Sequence, residues 1–360
     1  MKKIMPDFHA DFACIGGVCT DNCCIGWEID IDRNTLAKYQ AMEGAFGEEL
    51  RQNIEGDPPH FKLVENERCA MLNGDNLCRI ILHGGEELLC EICDQHPRFR
   101  GQYGERLEVG AGICCEVAAR QWLCGAGRLR LTEAEMPGKP PRMTKEQSAR
   151  LETLIPLRER LLDILAEDAP LNERLARVLA LAEGAQKALD AGKPKRIAAL
   201  AEERISGSGT AAELDEACLK MLSRMEPIDA KWENALAELG ERMPEIRAAQ
   251  AEFEQRVPRE NAWARLAMYG LYRYMLKAAS DGDVLSRVKW AVLAVHIVRR
   301  MDALNWLNAG KMWNAALDIE AAKLFSKQVE YSQENMILML SECWNSMLLT
   351  PERIIGGIPE

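Results

Sequence analysis

A chain of 360 residues, 48% apolar and 28% charged, has room for two domains and a substantial buried core. Its net charge of -11 leaves no basic surface for a phosphate backbone, which excludes a nucleic-acid partner, and suits a basic protein surface or simple solubility. No run approaches the roughly eighteen apolar residues of a bilayer span, because the nearest, Trp290 to Val298, is interrupted by His296.

The first seven residues, Met1 to Asp7, carry two lysines but no apolar stretch behind them. A secretory leader is therefore not expected, and the chain is expected to mature in the cytoplasm. That matters because eleven of the thirteen cysteines precede residue 125. In a reducing compartment, such crowding points to metal–thiolate ligation or redox chemistry ahead of disulfides, with plain buried thiols as the remaining reading.

The cysteines fall in four groups. The first holds Cys14, Cys19, Cys23 and Cys24, with Gly16, Gly17 and Gly26 allowing close backbone approach. Adjacent Cys23 and Cys24 can serve one site only where the backbone is neither a regular helix nor a regular strand. Zinc ribbons favour C-x2-C knuckles, so this spacing tilts toward iron–sulfur. Just beyond, Glu28, Asp30 and Asp32 alternate with Ile29 and Ile31, which puts three carboxylates on one side of an extended segment. That strip is either a solvated face or an acidic surface able to hold a substrate ammonium and take its proton.

Asn73-Gly74-Asp75 is a turn signal expected to bring Cys69 and Cys78 together. Cys90 and Cys93 share a helix face at i and i+3 before Pro97 ends the helix. His96 is a turn or core histidine or else a metal ligand, and Arg98 and Arg100 are surface arginines or a carboxylate clamp. Cys114, Cys115 and Glu116 open a further helix toward Trp122.

A proline-rich stretch at 136–142 predicts a linker. The expected architecture is mostly α: an irregular, cysteine-rich α+β cluster domain over 1–135, then an all-helical domain of eight to ten helices over 144–360. Its most apolar pair is expected at Ala262 to Ala279 and Val284 to Leu307, joined at Asp281-Gly282-Asp283. No G-x-G-x-x-G, P-loop, H-E-x-x-H or C-x3-C-x2-C motif is present.

The stretch from Phe12 through Cys14-Ile15-Gly16-Gly17, Cys19, Asp21, Cys23-Cys24, Gly26-Trp27, Ile29 and Ile31-Asp32 resembles the start of flagellin lysine-N-methylases. Cys69-x2-Leu72, Leu77-Cys78-x-Ile80, Gly85-Glu86-x-Leu88, Cys93-x3-Pro97-Arg98 and Cys114-x-Glu116 continue the likeness through about residue 125. It runs on weakly through Glu260-Asn261 and the Tyr272 to Asp283 region. The resemblance implies methyl transfer from S-adenosylmethionine to lysine ε-amines of flagellin, with a [4Fe–4S] cluster involved. It implies cluster ligands among Cys19, Cys23, Cys24, Cys69, Cys78, Cys93 and Cys114. Cys90, Cys115 and Cys124 fall where the family does not call for cysteine. On this reading Asp30 or Asp32 deprotonates the lysine and Arg98 contacts the cofactor. Two other classes stay open: a non-catalytic zinc or iron–sulfur module whose helices dock a partner, and an electron-transfer or redox-sensing protein.

Overall fold

The computed structural model describes residues 1–202 and 205–358. It is mostly α, with fifteen α-helices and three small sheets among the described residues. The chain forms two compact units, which cut it differently from the linear halves expected above. One unit holds residues 11–99 and 115–117; the other holds 1–10, 100–114 and the chain from Ala118 onward.

Strand pairing explains the difference in the larger unit. The strand Lys2–Pro6 lies between two partners distant in sequence, parallel to Arg106–Ala111 (Lys2 opposite Arg106) and antiparallel to Leu131–Glu135 (Lys2 opposite Glu135). Arg98–Tyr103 completes the four-stranded sheet at its edge. The Tyr272 hydroxyl donates to this sheet, 3.0 Å from Ile4 O and 2.9 Å from Val109 O. Arg158 grips Glu108 with two charge-assisted bonds of 2.7 and 2.6 Å, and both side chains are buried. Sheet and helices therefore share one core, and the proline-rich 136–142 stretch runs within a unit.

Ten of the α-helices follow Thr144 among the described residues. The apolar pair appears as Glu260–Tyr274, extended by a 3-10 turn and Ala278–Asp281, and then Leu285–Asn308, with Gly282 in the left-handed region between them. Leu285–Asn308 is buried on nearly every side, as its lack of a polar face requires. A Cβ at Gly270 would stand 2.8 Å from the Trp290 ring and 2.9 Å from Ala291, so only glycine admits this close crossing.

The smaller unit has two short antiparallel strand pairs, Ile54–Glu55 with His60–Phe61 and Leu63–Val64 with Arg68–Cys69. Its helices Arg33–Ala41 and Gly44–Gln52 bury Tyr39 and Leu50. These pack in a core with Ile29, Ile31, Phe61, Cys69, Met71, Ile80 and Cys90. No helix among the described residues is long and apolar enough to cross a membrane.

Candidate functional site

The smaller unit gathers thiols from three stretches of chain. Cys23 and Cys24 occupy a turn, as their adjacency requires, held by the Asn22 side-chain oxygen accepting from Cys24 N at 2.9 Å. Cys24 O accepts from Cys69 N at 2.9 Å, and the backbone at Ile25 bridges to Arg68, so the turn holding Cys24 lies directly against the strand that ends at Cys69. Asn73 builds the expected turn: its side-chain oxygen accepts from Asp75 N and Leu77 N, both at 2.9 Å, and Leu72 pairs with Cys78. Asn22 Nδ2 reaches Asn76 O at 3.1 Å, tying that turn to the first cysteine group. Gly17 is needed at the same crossing, because a Cβ there would lie 2.3 Å from Asp75 O.

Cys90 caps the short helix Glu91–Gln95, which carries Cys93. Cys69 and Cys90 belong to the core itself, and Cys24, Cys78 and Cys93 pack against it. Their mutual influence shows in their acidities. Hydrogen bonding to Cys23, together with burial, drives the Cys24 thiol far up, and the Cys69 and Cys78 charges push the same way. Cys93 is raised by its hydrogen bond with Cys90 and by burial, while Cys90 is lowered by that same bond. Burial pushes Cys69 up to about 11. With their pKa values raised in this way, the Cys24, Cys69 and Cys93 thiols stay protonated on their own, and a metal centre is the counter-cation that would let them bind as thiolates.

Among the described residues, no three His, Cys, Asp or Glu side chains are placed to hold one metal ion. A cubane distributes its thiolates, one to each iron, so its ligands do not converge on a single point. The all-sulfur donor set, poor in histidine, fits iron–sulfur chemistry on these grounds. The remaining resemblance-based ligands have other recorded surroundings. The Cys19 thiol lies 3.4 Å from Asp21 O and 3.9 Å from a Glu116 oxygen, which also takes Thr20 N and Oγ1. Cys114 is buried in the larger unit, near enough to Tyr269 and Arg273 to act on both electrostatically.

Beside the thiols, an open cleft of about 460 Å³ is lined by Asp30, Asp32, Glu91, Gln95, His96 and Arg98 with two isoleucines. It unites all three non-cysteine site residues expected from the sequence. Ile29 and Ile31 point inward and Asp30 outward, so the alternation holds, although the segment forms a single isolated bridge, Asp30 to His60, rather than a strand. Asp32 is the N-cap of Arg33–Ala41: one oxygen accepts from Asn34 N at 3.1 Å and Thr35 N at 3.0 Å. Its other oxygen accepts from Glu91 N at 2.9 Å. The Glu91 amide, with the two helix amides, holds the Asp32 carboxyl down at about 2. Such a group is a fixed anion and a very weak base. Nothing among the described residues hydrogen-bonds the exposed Asp30 carboxylate. Arg98 donates to Asp94 O at 2.7 Å, and its guanidinium lies 5.3 Å from the Phe12 ring centre. His96 ends the cysteine helix and packs near Trp27, ring centres 5.9 Å apart.

Sequence reasoning did not assign Glu91 and Gln95 to this cleft. Their i, i+4 spacing was the available signal, and Gln95 Nε2 donates to Glu91 Oε1 at 2.9 Å.

The sequence model of one protein family, described as the FliB lysine N-methylase C-terminal domain, matches residues 158–355. The flagellar biosynthetic protein FliU of Salmonella muenchen is 30% identical over 132 residues, covering 33% of this chain and 78% of that protein. Lysine-N-methylases of Salmonella choleraesuis and Salmonella typhimurium are each 29% identical over 132 residues, 33% of this chain and 33% of each relative. The match thus spans a third of those two enzymes. No solved structure matches.

Proposed function

Because this chain belongs to the FliB lysine N-methylase family, we propose that it methylates lysine ε-amines of flagellin. On this reading the methyl donor is S-adenosylmethionine, and an iron–sulfur cluster sits on the thiol core. The observation that carries the proposal is that one short helix, Glu91–Gln95, bears Cys93 toward the sulfur-rich core while lining an acidic cleft. Metal-binding and amine-binding chemistry share a wall there.

Cys24, Cys69, Cys78 and Cys93 are the thiols from which the cluster would draw its ligands. When bound, it supplies a redox-active centre whose potential the surrounding protein groups tune. The cleft has its own task. Three carboxylates against the single Arg98 guanidinium favour a cationic side chain, so a lysine ammonium is drawn in and oriented.

A protonated amine has no lone pair to donate, and a free lysine titrates near about 10.4. Asp32, pinned near 2 by three amides, holds the charge of the incoming ammonium. Asp30, exposed at the cleft, is the carboxylate that passes the proton on to water. Arg98, steadied by Asp94 O and Phe12, takes the carboxylate of the methyl donor.

Incubating anaerobically reconstituted protein with flagellin and S-adenosylmethionine carrying a deuterated methyl group tests the proposal. The expected result is labelled methyl on flagellin lysines by mass spectrometry. Absence of label, when a Salmonella lysine-N-methylase labels the same flagellin, overturns it.

A further inference from the structure

Cys90 is the thiol that the family pattern leaves out and the structure places centrally. It is fully buried, in the same core as Cys69, Met71 and Ile80, with Cys24, Cys78 and Cys93 packed against that core. A buried cysteine is ordinarily a small apolar filler. Cys218 and Cys343, buried among the helices of the larger unit, show how such fillers look in this chain. The surroundings of Cys90 are different, because its neighbours are themselves sulfur donors delivered by separate chain segments.

We infer that Cys90 is itself one of the four thiolate ligands of the iron–sulfur cluster, in place of one of Cys24, Cys69 and Cys78, so that this chain uses a Cys90-x2-Cys93 pair where the family pattern calls for Cys93 alone. This rests on the cluster part of the function proposed above. The backbone supports such a pair. Cys90 sits immediately before the helix and belongs to the core, and Cys93, within the helix, packs against that core. Asp32 fixes the register by accepting from Glu91 N at 2.9 Å, directly between the two cysteines. Tyr39, whose hydroxyl donates to Leu88 O at 2.5 Å, anchors the chain leading into Cys90. On binding, the Cys90 thiol gives its proton to solvent and its sulfur lone pair to iron, with no change of oxidation state.

The test is anaerobic reconstitution with iron and sulfide of the intact chain and of Cys90→Ala, Cys90→Ser and, as a control at an exposed position, Cys124→Ala. Iron and sulfide per chain and the electron paramagnetic resonance of the reduced protein are read, with circular dichroism of each metal-free chain. Cys90→Ala is expected to lose at least half of the bound iron, and Cys124→Ala none. Cys90→Ser, which keeps size and packing, is expected to retain iron with a shifted resonance, since oxygen replaces sulfur on one iron. A Cys90→Ser resonance identical to the parent overturns the inference even if Cys90→Ala misfolds. Iron uptake by the parent with full uptake by Cys90→Ala overturns the inference alone. A parent chain that takes up no cluster removes both the inference and the cluster reading beneath it.

Discussion

Asp30 and Asp32, two residues apart on one cleft, divide their labour through hydrogen bonding. Asp32 spends both oxygens on three backbone amides. Replacing it with alanine removes a helix cap and the tie to Glu91, and is expected to cost about 1–2 kcal/mol of stability, measured by urea denaturation. Asp30→Asn removes a charge that no structural bond uses, so stability is expected to hold while the proposed flagellin methylation falls about a hundredfold. If Asp30→Asn methylates at the parent rate, Asp30 has no part in proton transfer. The buried Glu108–Arg158 pair makes a further prediction with a definite sign. Burial alone would raise the Glu108 carboxyl, but Arg158 and Arg106 outweigh it and the net displacement is downward from 4.5. Its contribution is therefore present above about pH 4.5 and is lost as the pH falls through the lower folded value. Glu108→Gln is expected to cost about 3–5 kcal/mol at neutral pH, because it leaves Arg158 buried without its partner. The variant should also flatten the acid limb of the stability–pH curve, and an unchanged limb would assign the acid sensitivity to other groups.

At the scale of elements, local signals were legible wherever a few consecutive residues set the geometry. Asn73-Gly74-Asp75 turned as its side chains dictate, the Glu28–Asp32 alternation survived, and the apolar helix pair fell within a few residues of its expected ends. The capping role of Asp32 was also written in the sequence, as an aspartate directly before a helical run, but its place in an acidic alternation masked it. What the sequence could not carry was pairing across distance. Lys2–Pro6 meets partners about a hundred residues away, which no local pattern encodes. The helix crossing at Gly270 is a similar case, since its meaning depends on Trp290 and Ala291. Gly270→Ala improves intrinsic helix propensity yet is expected to destabilise by about 1–3 kcal/mol, because the added methyl has no room. A higher melting temperature for this variant would show that the helix pair can open without loss.

Across the molecule, two kinds of construction coexist. The larger unit is held by apolar helices, aromatic packing and buried ion pairs, and its family match at 158–355 covers the region where motif reading found only weak likeness. Helical cores tolerate many sequences of the right size and pattern, so membership leaves few fixed letters there. The smaller unit has a core of few residues, in which Cys69, Met71 and Cys90 sit among aliphatic and aromatic side chains. A small core leaves stability wanting unless a metal adds to it. Because a ligand that binds only the folded form stabilises what it binds, loading of the proposed cluster is expected to act unevenly. Hydrogen-exchange mass spectrometry of the metal-free and reconstituted protein should show protection rising by at least tenfold across residues 63–95. Peptides from Leu285–Asn308 should exchange alike in both states. If both regions gain protection equally, the thiols are not where the metal acts, and the division into a sulfur-built unit and an apolar one fails as an account of stability.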